Sequence, residues 1–192
     1  MSARRASGGF TLIELMIVVA VIAVILTLAA PSFRDMILMQ RLRGINAQLV
    51  TDMAFARSEA ISRGTFVRVH FKSNTATSCY TISAGPSHTG EPRCDCLLQS
   101  CPTNAVGIRT VQYPASDSVM VAPRIPSYNR YTIDPRTGGI VVIGPDGPEP
   151  STPEIEIESS IDSSRVFRNA VSVSGRIKVC TPSGSNTGGE AC

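Results

Sequence analysis

Chemistry-bearing residues are scarce in this chain. Two histidines, His70 and His88, are the only ones in 192 residues, and neither has a nucleophile at a recognisable spacing. No glycine-rich loop precedes a lysine or opens a helix in the manner of a phosphate cradle, so nucleotide chemistry has no motif to rest on. The acids of Glu154-Ile155-Glu156-Ile157-Glu158 alternate with isoleucine, which reads as the solvated face of a strand rather than an acid/base pair. No catalytic residue is assigned, and no cofactor is expected. Charge is absent from Leu15 to Phe33, and cysteine is absent before position 79.

The uncharged stretch is the most informative part. From Phe10 to Ala30 the sequence is apolar apart from a few small polar residues and Glu14. At about 1.5 Å per helical residue it reaches roughly 30 Å, one hydrocarbon core. Glu14 is costly in such a span, by about 2.5–3.5 kcal/mol on insertion scales, and requires a cation. Arg4 and Arg5 precede the span, which orients the first residues toward the cytoplasm. Pro31 directly follows the candidate cleavage site Leu28-Ala29-Ala30 and disfavours signal cleavage there. A cut between Gly9 and Phe10 would instead create an ammonium group four residues from Glu14. In a bundle of such helices, the ammonium of one subunit would meet the carboxylate of another.

Gly9-Phe10-Thr11-Leu12-Ile13-Glu14-Leu15-Met16 resembles the class III signal of type IV pilins and type II secretion pseudopilins. The resemblance implies removal of a leader, residues 1–9, by a prepilin peptidase, N-methylation of Phe10, and use of Glu14 for subunit registration. It also implies a single pass through the bacterial inner membrane over 10–30, with the remainder periplasmic, and incorporation into a filament with other minor pilins or pseudopilins. Pro31 falls where such proteins commonly interrupt the first helix.

Residues 31–64 continue as an amphipathic helix. Leu38, Leu42, Ile45, Leu49, Met53, Ala56 and Ala60 recur at steps of three and four. Ser32 is placed to cap its start and Gly64 its end, with Arg63 near the negative C-terminal pole. Ser32-Phe33-Arg34-Asp35, Gln40-Arg41-Leu42-Arg43 and Ala56-Arg57-Ser58-Glu59-Ala60-Ile61 resemble the helix of the GspH/FimT branch of the same superfamily.

Beyond residue 64 the period changes to two. Strands are expected near Thr65–Phe71, Ser78–Ala84, Ile108–Tyr113, Ser118–Ala122, Arg130–Asp134, Ile140–Ile143, Glu154–Ser159 and within Val166–Val179. In the first, Val67, Val69 and Phe71 oppose Phe66, Arg68 and His70. Arg136-Thr137-Gly138-Gly139 reads as a turn, and Gly144 to Pro150 as an exposed loop. The expected fold is α+β: a long N-terminal helix packed on antiparallel sheet, with 65–192 forming one β-rich periplasmic domain.

The six cysteines, at 79, 94, 96, 101, 180 and 192, lie where an oxidising periplasm favours disulfides. Cys180–Cys192 is the pair we single out, since it would tie down the Gly/Ser-rich tail; fifteen full pairings are otherwise open. The alternative is a metal site at Cys94-Asp95-Cys96 and Cys101, which lacks paired Cys-x-x-Cys spacing.

Gly175-Arg176-Ile177-Lys178 resembles the Gly-Arg-x-Arg element of FimT-type minor pilins, which implies capture of double-stranded DNA during natural transformation. Extended backbone there would place Arg176 and Lys178 on one face. Lys178 lacks the bidentate fork of arginine, and Arg165 and Arg168 would extend the patch. Net charge is +3, falling to +1 if Arg4 and Arg5 leave with the leader, so affinity for nucleic acid must come from a local patch. The functional expectation is a structural minor pilin that helps initiate or cap a type IV pilus, with DNA contact as an added role. The alternative is an H-type pseudopilin acting in protein export through type II secretion.

Overall fold

The computed structural model describes residues 10–87, 93–149 and 154–192, and the side chains of all of these except 28–32, 154 and 155. The leader 1–9 with Gly9, and His88, lie outside the described residues. Among the described residues, helix α1 (Leu12–Arg63) is followed by ten strands, β1 (Phe66–Ser73), β2 (Thr77–Gly85), β3 (Val106–Pro114), β4 (Met120–Pro123), β5 (Arg130–Ile133), β6 (Ile140–Gly144), β7 (Gly147–Glu149), β8 (Glu154–Asp162), β9 (Arg165–Ser172) and β10 (Ile177–Cys180). The chain divides into two compact units, 1–38 and 39–192.

In the first unit, Thr11 Oγ1 accepts a hydrogen bond from the Glu14 N–H and so caps the first turn. The side chains of 10–27 are exposed and almost wholly apolar. The helix runs through Ser32 without a break, so Ser32 does not start a helix as expected. Its end is Gly64, whose φ of +60° is readily adopted by a residue without Cβ.

In the second unit, Leu42, Ile45, Leu49, Met53, Ala56 and Ala60 are all buried in one core with residues of both sheets. The larger sheet is antiparallel in the order β3-β2-β1-β5-β6-β7, and the smaller in the order β10-β9-β8-β4. A short 3₁₀ turn, Ala115–Asp117, carries the chain from one sheet to the other. The sheets are also joined where the Ile140 N–H donates to Val173 O at 2.8 Å.

One expectation for the sheets is corrected and another is made more specific. The segment from Gly144 is not wholly loop, because Gly147–Glu149 pairs with β6 as a three-residue edge strand, where Pro148 is tolerated at the margin of the ladder. The strands expected within Val166–Val179 form a hairpin that turns at Ser172–Gly175.

β1 is buried on both faces. Val67, Val69 and Phe71 enter the core, while Arg68 and His70 on the opposite face are only 2% and 4% exposed. Disulfides Cys79–Cys96 and Cys94–Cys101 hold a flap over that second face. Within it, Arg68 donates to Ser87 O, Lys72 pairs with Asp95, and the Gln112 amide donates to Cys96 O. The third disulfide joins Cys180 to Cys192. With all six cysteines oxidised, no thiolate is left to bind a metal.

Candidate functional site

The N-terminal part of the helix has an unusual surface. Phe10 is 79% exposed, and Leu12, Ile13, Leu15, Met16 and their neighbours to Leu26 are exposed all around the helix. A helix apolar on every side belongs in a core or a membrane, and an exposed apolar surface of this extent marks an interaction site. Glu14 is its only carboxylate, and no ion pair among the described residues involves it. Its place in the first turn is favourable to the helix dipole. No helix is long and apolar enough, among the described residues, to cross a membrane. The apolar run is described at side-chain level only to Thr27, so the expected span 10–30 extends past it.

The β9–β10 hairpin carries the second candidate. Gly175 sits in the turn at φ +73° and its N–H donates to Ser172 O, so the extended segment begins at Ile177 rather than Gly175. Arg176 and Lys178 are both exposed, whereas Ile177 packs against the core. Neither cation has an ion pair among the described residues. Arg165 and Arg168 do not add free charge. Arg168 is held by Glu158 at 2.9 Å and Glu156 at 3.6 Å, and Arg165 by Asp162 at 2.6 Å. Hydrogen bonds from Arg165 and Ser164 hold the Asp162 carboxyl down to about 2. Glu156 and Glu158 are therefore ion-paired with Arg124 and Arg168, not the solvated row their alternation suggests.

His70 is buried beneath the flap, with Nδ1 3.3 Å from Cys94 O. Burial lowers its pKa below the ordinary histidine value, and the nearby Arg93 and Lys72 act in the same direction. Its polar contacts are structural.

The helix carries polar groups that sequence reasoning missed. Asp52 is 1% exposed, accepts a hydrogen bond from Tyr80 Oη at 2.7 Å, and pairs with Arg109 at 2.6 Å. Burial first, then the bond to Asp52, raises the Tyr80 pKa. Asn46 Oδ1 accepts from Ser159 Oγ at 3.1 Å and Asn169 Nδ2 at 2.7 Å, fastening the helix to the smaller sheet. Both Asn46 and Asp52 border the apolar stripe, next to Ile45 and Met53, and that adjacency is the one signal in the sequence that could have found them. The tail is fastened by polar groups as well: Arg43 donates to Thr187 O, and Ser185 Oγ to Val166 O.

Family comparison agrees with this geometry at both ends of the chain. The family described as type II transport protein GspH matches residues 46–187, and the prokaryotic N-terminal methylation motif matches residues 4–30. No curated protein and no solved structure matches the chain. The methylation motif implies processing by a prepilin peptidase and assembly with other pilins, and suggests anchorage in the inner membrane. The GspH match covers well over half of the sequence and includes the second half of the amphipathic part of the helix and every described strand. The chain belongs to the GspH family, the GspH/FimT-like pilins and pseudopilins of type II secretion and type IV pilus systems.

Proposed function

We propose that the chain is a non-enzymatic, structural minor pilin that helps initiate or cap a type IV pilus, with prepilin cleavage after Gly9, methylation of Phe10, and Glu14 as its assembly residue. The observation that carries this reading is the exposed apolar helix surface of 10–27 with its single carboxylate, attached in sequence to a β-rich unit with its own core. Membrane-inserted over 10–30 before assembly, the helix exchanges lipid for the apolar helices of other subunits as the filament grows, and Glu14 meets the Phe10 ammonium of a neighbour. Arg176 and Lys178 add a contact to the phosphates of double-stranded DNA.

A pseudopilin of the type II secretion system is the second reading, and the description of the matched family favours it. Glu14→Val tests the assembly role and separates the two machines. The variant should keep the β-rich domain folded, by circular dichroism of the membrane-extracted protein, while failing to enter filaments. Loss of surface pili assigns the chain to the pilus, and loss of exported enzymes to secretion. Undiminished piliation and export together would remove the charge-pairing role.

A further inference from the structure

Within the unit 39–192, Arg57, Arg136, Arg176 and Lys178 have no hydrogen-bond or ion-pair partner for their side chains among the described residues. Every other described arginine and lysine of the unit is engaged with a carboxylate, a carbonyl oxygen or another group. These four belong to three separate elements, and the fold brings those elements to one junction.

Arg57 lies on the helix, half-buried, against the two turns that carry the other cations. A Cβ on Gly138 would lie 2.7 Å from Arg57 Nε, and a Cβ on Gly175 would lie 3.2 Å from the same atom and would collide with Gly138 O. Both glycines have positive φ, +65° and +73°, so the Arg57 stem is bracketed by two turns that no ordinary side chain could replace. Arg136 is two residues before Gly138, within about 7 Å along the chain. Arg176 follows Gly175 directly, and Lys178 follows on β10. The acid of the Arg136 turn, Asp134, directs Oδ1 to the backbone N–H groups of Arg136 and Thr137.

We infer that this junction is a phosphate-binding surface for duplex DNA, in which Arg57 and Arg136 act with Arg176 and Lys178. The inference rests on the DNA-contact reading above and extends it to two residues outside the hairpin. Arg57 is half-buried as a residue and its side chain has no acceptor among the described residues, and the planar fork of a guanidinium suits a phosphate. Four cations carried by three elements suit an anion of repeating charge better than one free phosphate, which would occupy a single fork. The two turns, 134–139 and 172–176, contain no aromatic residue on which an unpaired base could stack, so the contacts are to the duplex backbone and carry no sequence preference.

The test uses the full chain in detergent micelles and a labelled duplex, titrated by fluorescence anisotropy at several salt concentrations. Arg57→Gln and Arg136→Gln should each weaken binding and lower the log–log salt slope by about 0.9, the value for one phosphate no longer neutralised. Arg124→Gln, at a cation already paired with Glu156, should leave both unchanged. Arg136 lies on an exposed turn and its variant will fold; Arg57→Lys, which keeps the stem and charge, covers the case in which Arg57→Gln unfolds, and should preserve the slope with weaker binding. If both glutamine variants fold and retain the parent slope while Arg176→Gln and Lys178→Gln reduce it, the junction surface is overturned and the hairpin contact stands. No binding by the parent at low salt overturns both. Displacement of the duplex by polyglutamate as effectively as by unlabelled DNA of equal charge would make the occupant an acidic protein segment and overturn the assignment to DNA.

Discussion

His70 shows how one side chain can be read from sequence in outline and still be misjudged in environment. Alternation along β1 places it opposite Val69 and Phe71, and its place in the strand implies a structural role. What no local pattern could supply is the flap, because Cys79 and Cys96 meet through a disulfide that spans 17 residues of sequence. Burial under that flap lowers the His70 pKa, and the neighbouring charges are mixed: Arg93 and Lys72 lower it while Asp95 raises it. Asp95 is itself held below the usual carboxylate range. Its partial burial would raise it, but hydrogen bonds from Lys72 and the backbone of Leu98 and Leu97 outweigh that effect. Above the unfolded value near 6.5, His70 is neutral in both states. Below it the unfolded chain binds the proton first, so stability falls with pH by at most about 1.4 kcal/mol per unit until the folded value is reached. Thermal melts from about pH 7.5 to 5 should show Tm falling below roughly pH 6.5, with a shallower fall in His70→Gln. An identical pH profile in the variant would place the effect elsewhere.

At the scale of elements, the helix is the most legible part because its stripe from Leu42 to Ala60 repeats at steps of three and four and has one apolar face to bury. Its polar anchors are not legible. Asp52 and Asn46 are buried by strands that approach from far along the sequence, Tyr80 in one sheet and Asn169 in the other. β7 is hidden by Pro148, which argues against a central strand but not against a short edge. The basic hairpin is located by its residues, yet only the register of β8 against β9 reveals that Arg168 faces Glu158 and is already engaged. In the tail, Cys180 and Cys192 close a loop across a separation of 12 residues, while a few hydroxyls, the Arg43 contact and the bond from the Asn186 N–H to Ser164 O dock its interior. Loop-closure entropy assigns about 2–3 kcal/mol to such a bridge. Replacing both cysteines by serine should lower the urea midpoint accordingly and make 181–192 sensitive to protease. A midpoint and digestion pattern equal to the parent's would show that the hydrogen bonds hold the tail without the disulfide.

The whole chain combines two surfaces with opposite demands. The unit 39–192 buries its apolar side chains around the helix stripe, whereas the described residues of 10–27 leave theirs exposed on every side of the same helix. Nothing within the chain, among the described residues, balances Glu14 there. A cation from a second subunit would do so, and proteolysis before Phe10 would create one at the same end of the helix. Methylation adds apolar surface without removing that charge. Mass spectrometry of the protein from membranes should therefore find a mature chain beginning at Phe10, one methyl group heavier than the bare sequence. Substitution at Gly9 should retain residues 1–9, leaving the amine nine residues upstream of Phe10 and unable to meet Glu14 in register. Such a precursor should remain in the membrane and out of filaments. A mature protein beginning near Pro31 would instead have discarded Glu14 together with the apolar surface, and a filament subunit of this type could not be built from it.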